Sequence, residues 1–183
     1  MKDLLKQYQA KPLGEKKRYA VFLPLILVND DWHILYEVRS QYVSQPGEVS
    51  FPGGRVESQE TLQEAAVRET VEELTVDASQ IQIWGEIDYL VQSSRTIHCF
   101  VGQLIIDDWK SIQPNEEVDR IFTVPLRQLL VTDPVYYRLE AAPIETTDFP
   151  FDRIRNGKDY QFSQQYRSCL LYTSDAADER SSV

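Results

Sequence analysis

The chain has 183 residues, 42% of them hydrophobic and 26% charged, and a formal net charge of −10. This length and composition predict one globular domain with its own core and exclude an intrinsically disordered chain. The negative charge argues against nucleic acid and anionic membranes as partners, and no apolar run reaches the roughly 18 residues of a transmembrane helix.

The hydrophobic pattern predicts a mixed α/β fold. A short helix and a basic lead-in are expected within residues 1–18. Polar loops are expected at 40–50 and 92–95, and Asn156-Gly157 predicts a hairpin turn between 151–154 and 160–162. Strands are predicted at 19–28, 32–38, 81–90, 96–106, 121–124 and 136–141, and helices at 60–74 and 125–130. Strands on both sides of a central helix indicate a mixed sheet with helices packed against it.

The cellular compartment is indicated by two features. The N-terminal segment lacks the apolar core of a secretory signal, and Cys99 and Cys169 are too far apart in sequence to suggest a disulfide framework. A cytoplasmic location is the simplest expectation. Cys99 sits in an apolar run and is expected to be a small core residue.

Residues 54–76 carry acidic side chains at a distinctive spacing. Glu69, Glu72 and Glu73 are related by i, i+3 and i+4, so on a helix they share one face. Three crowded carboxylates repel one another, and a cation among them offsets that repulsion. The pattern therefore predicts a metal site, with a solvated acidic helix face as the alternative.

The segment resembles the Nudix box, which runs G-x5-E-x7-R-E-U-x-E-E-x-G-U, where U is a bulky apolar residue. Thr70 stands at the first apolar position and Thr75 stands where the family has glycine. The resemblance implies a Nudix-type α/β/α sandwich with a mixed sheet over residues 19–168, and hydrolysis of a nucleoside diphosphate linked to another group. The matching residues are Gly54, Glu60, Arg68, Glu69, Glu72, Glu73 and Val76.

The same resemblance assigns metal-binding roles. Glu69 and Glu73 are the expected direct ligands of Mg²⁺ or Mn²⁺. Glu72 completes the cluster or binds through water, and the backbone carbonyl of Gly53 is a further ligand. Hard carboxylate oxygens suit both ions, and such ions offset the charge of a diphosphate and activate water.

Further roles lie outside the metal ligands. Arg68 and Glu60 are expected to form two parallel hydrogen bonds that fix the loop to the helix, with Glu64 competing for the same arginine. Some Nudix enzymes place a catalytic glutamate in a loop outside the box, and Glu117 is the candidate here, with an exposed acidic loop as the alternative. The expected catalytic set is Glu69, Glu72, Glu73, Arg68 and Glu117.

The residues before the box resemble the signature of coenzyme A pyrophosphatases, L-L-T-x-R-S-x3-R-x3-G-x3-F-P-G-G. Gly47 and the run 51–54 match in register, and Arg39 matches with a one-residue deletion. Val43, or Ser44 in the shifted alignment, stands at the second arginine. The resemblance implies cleavage of coenzyme A or its thioesters to 3′,5′-ADP and 4′-phosphopantetheine. Arg39 suits a phosphate because guanidinium binds phosphate oxygens in pairs, although a solvent-facing strand end is the alternative. The substrate-binding candidates are Arg39, Gly47, Phe51 and Gly54.

Two other functions stay open. One is a Nudix hydrolase of another substrate, such as ADP-ribose or a dinucleotide. The other is a catalytically silent Nudix-fold module that binds without turnover. In each case the expected partner is a small nucleotide, and a homodimer is the candidate assembly.

The end of the chain and the end of the central helix carry separate expectations. Residues 169–183 are small and polar, and they resemble a translated sequencing-adapter tail or a disordered tail, so we expect the family's C-terminal helix to be missing. A β-branched residue at a left-handed helix end costs about 1–2 kcal/mol. Thr75→Gly is therefore predicted to raise the melting temperature without lowering activity.

Overall fold

The computed structural model describes residues 17–92, 94–133, 135–140 and 165–170, the last two ranges as backbone strands. Within these residues the chain forms ten strands and two α-helices. The strands are β1 Lys17–Val28, β2 Asp31–Arg39, β3 Val49–Ser50, β4 Gly53–Arg55, β5 Ile81–Glu86, β6 Leu90–Val91, β7 Arg95–Leu104, β8 Val118–Pro125, β9 Val135–Glu140 and β10 Gln165–Leu170. The helices are α1 Leu62–Leu74 and α2 Leu126–Val131.

Strand β1 organises an eight-stranded mixed sheet. It runs parallel to β7 along one side and antiparallel to β4 and then β2 along the other. Strand β8 adds to β2, while β5 and β6 pair with β7. Strands β9 and β10 form a separate antiparallel pair. The α/β fold and the mixed sheet predicted from the sequence are confirmed.

Proline fits inside β1 because of where the strand changes partner. The backbone N–H of Phe22 donates to the carbonyl of Pro52 at 2.8 Å, on the side of β4. Pro24 lies two residues further on and faces the same side. It falls between the segment of β1 that pairs with β4 and the segment that pairs with β2. The missing N–H of Pro24 therefore removes no ladder hydrogen bond there.

The main core lies between the sheet and α1. Of the predicted core positions of α1, Ala65, Ala66 and Leu74 are fully buried, and Leu62 packs against the cluster. Complete burial of a side chain of leucine size stabilises the fold by about 1.5–3 kcal/mol. The buried members of the cluster are Ala20, Phe22, Ile26, Leu35, Ala65, Ala66, Leu74, Phe100 and Leu104.

Thr70 and Cys99 are polar or reactive residue types that lie in or beside the core. Thr70, at an apolar position of the box, is completely buried, and its hydroxyl donates to the carbonyl of Ala66 at 2.7 Å. Cys99 is a free thiol whose pKa is raised to about 11 by burial. Cys99 is half-buried and is not a member of the core clusters, so the expected core position is wrong, although the raised pKa of its thiol disfavours the reactive thiolate.

Helix α1 begins two residues later than predicted. Thr61 is its N-cap: the Thr61 hydroxyl accepts from the amide of Glu64, and the Glu64 carboxylate accepts from the amide of Thr61. This capping box satisfies two amides that otherwise lack a partner at the helix start. Glu60 therefore precedes the helix, and Glu64 serves the cap.

Other boundaries differ because tertiary contacts decide them. The single strand expected at 81–90 is divided into β5 and β6, and the pairing of β5 with β7 shifts register between Ile83 and Gly85. The short strands β3 and β4 were not predicted, and β8 begins at Val118 rather than at 121. The predicted strand at 136–141 corresponds to β9 at 135–140.

Several expectations lie outside the described residues. These are the helix within residues 1–16, the hairpin at 151–162, the C-terminal helix and the tail beyond residue 170. Strand β10 extends to Leu170. Among the described helices, none has the length and apolar character needed to cross a membrane.

The end of α1 adopts the left-handed conformation expected from the position of Thr75. Its φ and ψ are 52° and 41°. The Thr75 hydroxyl lies within hydrogen-bond reach of two carbonyls, that of Leu74 at 2.8 Å and that of Gln113. The side chain thus connects the helix end to the segment that precedes β8, which offsets part of the backbone cost.

We expect Thr75→Gly to be more stable than Thr75→Val by about 1–2 kcal/mol, because both lose the hydroxyl and only glycine relieves the left-handed strain. The hydroxyl bonds reduce the gain of Thr75→Gly over the wild type. Thermal unfolding of the three proteins measures both differences, and equal melting temperatures for the two variants would contradict the strain argument.

Candidate active site

Two glycines bring the backbone of β4 against β1 and α1. Gly53 has a φ of +156°, and a Cβ there would lie 2.5 Å from the carbonyl oxygen of Ala20. A Cβ on Gly54 would overlap the carboxylate of Glu69. Gly53 therefore needs glycine because backbone atoms of β1 block a side chain, whereas a side chain at Gly54 would displace the Glu69 carboxylate from the space that it fills.

Glu73 is the most deeply placed carboxylate of the box. The residue is 4% exposed, and its Oε2 accepts from the backbone N–H of Gly53 at 2.7 Å. Burial raises the pKa of Glu73 to about 8, the charge of Glu37 adds to this, and the hydrogen bond from Gly53 opposes it. A carboxylate held this way is destabilised in its charged form unless a cation approaches.

Glu69 and Glu72 differ in their surroundings although they lie on the same helix. The Glu69 side chain is 17% exposed, and burial raises its pKa while Arg68 opposes the shift. The Glu72 side chain is 54% exposed and pairs with Arg68 at 3.2 Å. The structure thus brings Glu69 and Glu73 to the two glycines, and places Glu72 at the outer side of Arg68.

Arg68 connects the parts of the site. Its Nε and Nη2 donate to the two oxygens of Glu60 at 3.1 and 3.0 Å, which confirms the predicted paired hydrogen bonds. Nη2 also donates to the carbonyl of Arg55 at 3.2 Å and lies 3.0 Å from Glu69 Oε1. One guanidinium therefore holds the loop before α1, strand β4 and a box glutamate together.

Glu117 lies in the segment that enters β8, and its charge interacts with two glutamates of the box. Its amide donates to Asn115 Oδ1 at 2.9 Å, and its carbonyl accepts from the amide of Ser40 at 2.9 Å. Its negative charge contributes to raising the pKa values of Glu69 and Glu73. Its role as catalytic base stays a prediction, now supported by its place beside the box.

Sequence reasoning missed Glu37. This residue of β2 is 1% exposed, and burial raises its pKa. The hydroxyl of Ser50 donates to Glu37 Oε1 at 2.8 Å, and Oε2 has no hydrogen-bond partner among the described residues. The available signal was an acidic residue inside the apolar run from Ile34 to Val38.

The predicted substrate residues line the connection between β2 and β4. Arg39 Nε donates to the carbonyl of Ser44 at 2.7 Å, and its charge lowers the pKa of Glu37. Gly47 has a φ of +79°, and its amide donates to the carbonyl of Arg39 at 2.8 Å. Phe51 stacks on Tyr36 with ring centroids 5.0 Å apart. These contacts shape the loop, and substrate binding by Arg39, Gly47, Phe51 and Gly54 stays a prediction.

A divalent cation fits the chemistry of these donors. Within residues 17–92 and 94–133, no three Asp, Glu, His or Cys side chains converge into a ready metal-binding group. Arg68 holds Glu69 and Glu72, and the amide of Gly53 holds Glu73. The hard carboxylate oxygens, their mutual repulsion and the unpartnered oxygen of Glu37 all favour a cation at this place.

Comparison with known proteins identifies the family of the chain. The NUDIX domain family model matches residues 16–143. The chain belongs to the Nudix domain family.

Two curated relatives are about one third identical to this chain over the aligned segments. Nudix hydrolase 3 of Caenorhabditis elegans is 35% identical over 118 residues, covering 61% of this chain and 48% of that protein. The mitochondrial coenzyme A diphosphatase NUDT8 of Mus musculus is 33% identical over 139 residues, covering 72% of this chain and 65% of that protein. The chain thus spans about half to two thirds of the length of these curated relatives.

Solved structures agree on the fold. A C. elegans Ap4A hydrolase binary complex has a TM-score of 0.53 at 18% identity, covering 62% of this chain and 83% of that chain. A Nudix hydrolase from M. smegmatis, RenU, has a TM-score of 0.53 at 19% identity, covering 63% of this chain and 74% of that chain. At these identities the similarity concerns the fold alone.

We expect the metal-free protein to lose stability as the pH rises from about 4.5, the ordinary pKa of Glu73, to about 8, its pKa in the fold. The folded chain binds this proton more tightly than the unfolded chain, so the stabilisation is complete below the lower value and is lost through the higher one. Each unit of pKa difference corresponds to about 1.4 kcal/mol. Glu73→Gln in EDTA should therefore unfold at a higher temperature than the wild type at pH 8, and the two melting curves should approach each other at low pH. Parallel pH profiles of the two proteins would contradict the expectation.

Proposed function

We propose that this chain is a divalent-metal-dependent hydrolase that cleaves the diphosphate of coenzyme A or its thioesters, giving 3′,5′-ADP and 4′-phosphopantetheine. The observation that carries the proposal is the meeting of Glu69 and Glu73 with Gly53–Gly54. These residues combine the buried carboxylate of Glu73 and the half-buried carboxylate of Glu69 with a backbone that approaches without a Cβ. Membership of the Nudix family supports hydrolysis of a diphosphate linkage.

The metal-binding part of the proposal rests on named donors. Glu69 and Glu73 would be ligands, with Glu72 and the carbonyl of Gly53 completing the set. Mg²⁺ or Mn²⁺ offsets the negative charge of a diphosphate and activates water for attack. Because Arg68 already pairs with Glu69 and Glu72, cation and guanidinium compete for the same carboxylates, and Arg68 keeps Glu60 as its own partner.

The other residues position the substrate and move the proton. Glu117 is the proposed base, since this residue is exposed to water and its charge interacts electrostatically with Glu69 and Glu73. Arg39 is the proposed phosphate contact, held by the carbonyl of Ser44 at the rim of the site. Catalysis of this kind depends mainly on positioning and on charge stabilisation.

Two observations support coenzyme A as the substrate. Gly47 and residues 51–54 match the coenzyme A pyrophosphatase signature in register. The relative from Mus musculus at 33% identity is named a coenzyme A diphosphatase. Val43 replaces the second arginine of the signature, so this chain is proposed to bind the substrate phosphates with one guanidinium fewer.

Two alternatives to coenzyme A hydrolysis are also tested. A different nucleotide substrate, such as ADP-ribose or a dinucleotide, fits the same metal site, and the structural neighbour from C. elegans is an Ap4A hydrolase. A silent binding module is disfavoured because Glu69, Glu72 and Glu73 are all present.

Location and assembly complete the proposal. A reducing compartment such as the cytoplasm suits the free thiol of Cys99.

A homodimer is the proposed assembly, and light scattering of the purified chain decides it. A mass equal to one chain at the working concentration would reject the dimer.

Glu73→Gln is expected to lower coenzyme A hydrolysis in Mg²⁺ by at least about 100-fold, because a charged ligand is replaced by a neutral amide. Glu57→Gln is the matched control, since Glu57 is an exposed glutamate of the loop before α1. Chromatography of the products measures the rate and identifies 3′,5′-ADP and 4′-phosphopantetheine. Wild-type turnover by Glu73→Gln would reject the assignment of the site.

The substrate is tested on the wild type with coenzyme A, ADP-ribose and a dinucleoside polyphosphate at equal concentrations. We expect coenzyme A to give the highest kcat/KM. A higher value for another substrate would retain the hydrolase and reject coenzyme A. Calorimetric binding of coenzyme A without product in the same solution would favour the silent module.

A further inference from the structure

Glu37 lies in the interior of the sheet, where a charged side chain is destabilising unless another group compensates its charge. In β2 it is opposite Ser50 of β3 on one side and Ile121 of β8 on the other. The residue is 1% exposed. Charged residues of this kind are almost never so completely buried unless they are paired or bind a metal.

One of its two oxygens is used by the protein and the other is not. The Ser50 hydroxyl donates to Oε1 at 2.8 Å and fixes the orientation of the carboxylate. Oε2 is buried and finds no hydrogen-bond partner among the described residues. A buried carboxylate oxygen without a donor is strongly destabilising when charged. Protonation does not resolve this, because the added hydrogen also needs an acceptor.

The charges around Glu37 are mainly of its own sign. Its interacting acidic neighbours are Glu73 and Glu69 of α1 and Glu117 before β8. The cationic neighbour is Arg39, two residues along the same strand. Carboxylates from β2, α1 and the entrance of β8 therefore act on one another in a volume from which solvent is largely excluded at Glu37 and Glu73.

This carboxylate is not part of the Nudix box. With Arg39-Ser40 aligned to the arginine and serine of the coenzyme A signature, Glu37 stands where the signature has threonine. A threonine supplies one neutral oxygen, whereas glutamate supplies a charged oxygen that a divalent cation binds more strongly.

We propose that Glu37 is an additional carboxylate of the metal site, with Oε2 directed to a divalent cation or to a water molecule on it, and that Ser50 is its positioning residue. The proposal rests on the proposed function, because it requires a cation beside Glu69 and Glu73. It assigns the unpartnered oxygen a ligand and gives the buried charge a counter-charge.

The test measures Mn²⁺ binding to the full chain without substrate, by titration calorimetry and by the electron paramagnetic resonance of free Mn²⁺. Glu37→Gln should bind Mn²⁺ at least about 10-fold more weakly than the wild type, in the range found when metal-site partners are removed. In EDTA the same variant should melt at a higher temperature, because a repelling charge is gone. A residue that only supports the fold would not weaken Mn²⁺ affinity and raise metal-free stability together.

Two control variants exclude a general effect of charge. Glu116→Gln removes an exposed carboxylate next to Glu117 and should change Mn²⁺ affinity little, and only at low salt, because salt screens exposed charges. The loss in Glu37→Gln should persist at high salt. Ser50→Ala should weaken Mn²⁺ binding less than Glu37→Gln, because the carboxylate stays while its orientation is released.

The outcomes separate this proposal from the proposed function. Wild-type Mn²⁺ affinity in Glu37→Gln together with weakened binding in Glu73→Gln would overturn the role of Glu37 and leave the metal site intact. Wild-type affinity in both variants would overturn the metal site as well. Should Glu37→Gln fail to fold, Glu37→Thr, which installs the signature residue, carries the same measurement and the same criteria.

Discussion

The close approach of α1 to the backbone of β4 is the constraint on which the site depends. It exists because Gly53 and Gly54 have no Cβ, so that the amide of Gly53 reaches Glu73 and the carboxylate of Glu69 occupies the space beside Gly54. The approach also buries negative charge, as the raised pKa of Glu73 records. The same contact therefore positions the carboxylates and makes them unstable without a counter-charge.

Arg68 compensates part of the negative charge of the site from its solvent-facing side. It binds Glu60 through two hydrogen bonds and contacts Glu69 and Glu72, while Glu73 has the amide of Gly53 as its donor. Among the described hydrogen bonds, the two buried carboxylates, Glu73 and Glu37, accept from neutral donors, the amide of Gly53 and the hydroxyl of Ser50. A protein built in this way gives up stability at the place where we propose that a cation binds.

How far the sequence could predict this arrangement depends on how local each feature is. Glu69 and Glu73 are one turn apart on one helix, so spacing alone brings them together, whereas the Arg68–Glu60 pair was expected from the resemblance to the box. The separation of β5 from β6 and the short strand β4 depend on pairing with β7 and β1, which spacing does not encode. Glu37 was missed for the same reason, since at this position β2 lies between β3 and β8, and its burial follows from that pairing.

The parallel pairing of β1 with β7 has a consequence for how the site is assembled during folding. It sets Lys17 opposite Arg95, a separation of 95 − 17 = 78 positions along the chain. Contacts of such long range are acquired late and slowly, because a large loop must close before they form. The glycine pair of β4 is paired with β1, so an isolated peptide of α1 would carry the glutamates without the backbone that contacts them. The proposed cation site therefore requires the assembled sheet beside the helix, and the sequence of the helix alone does not create it.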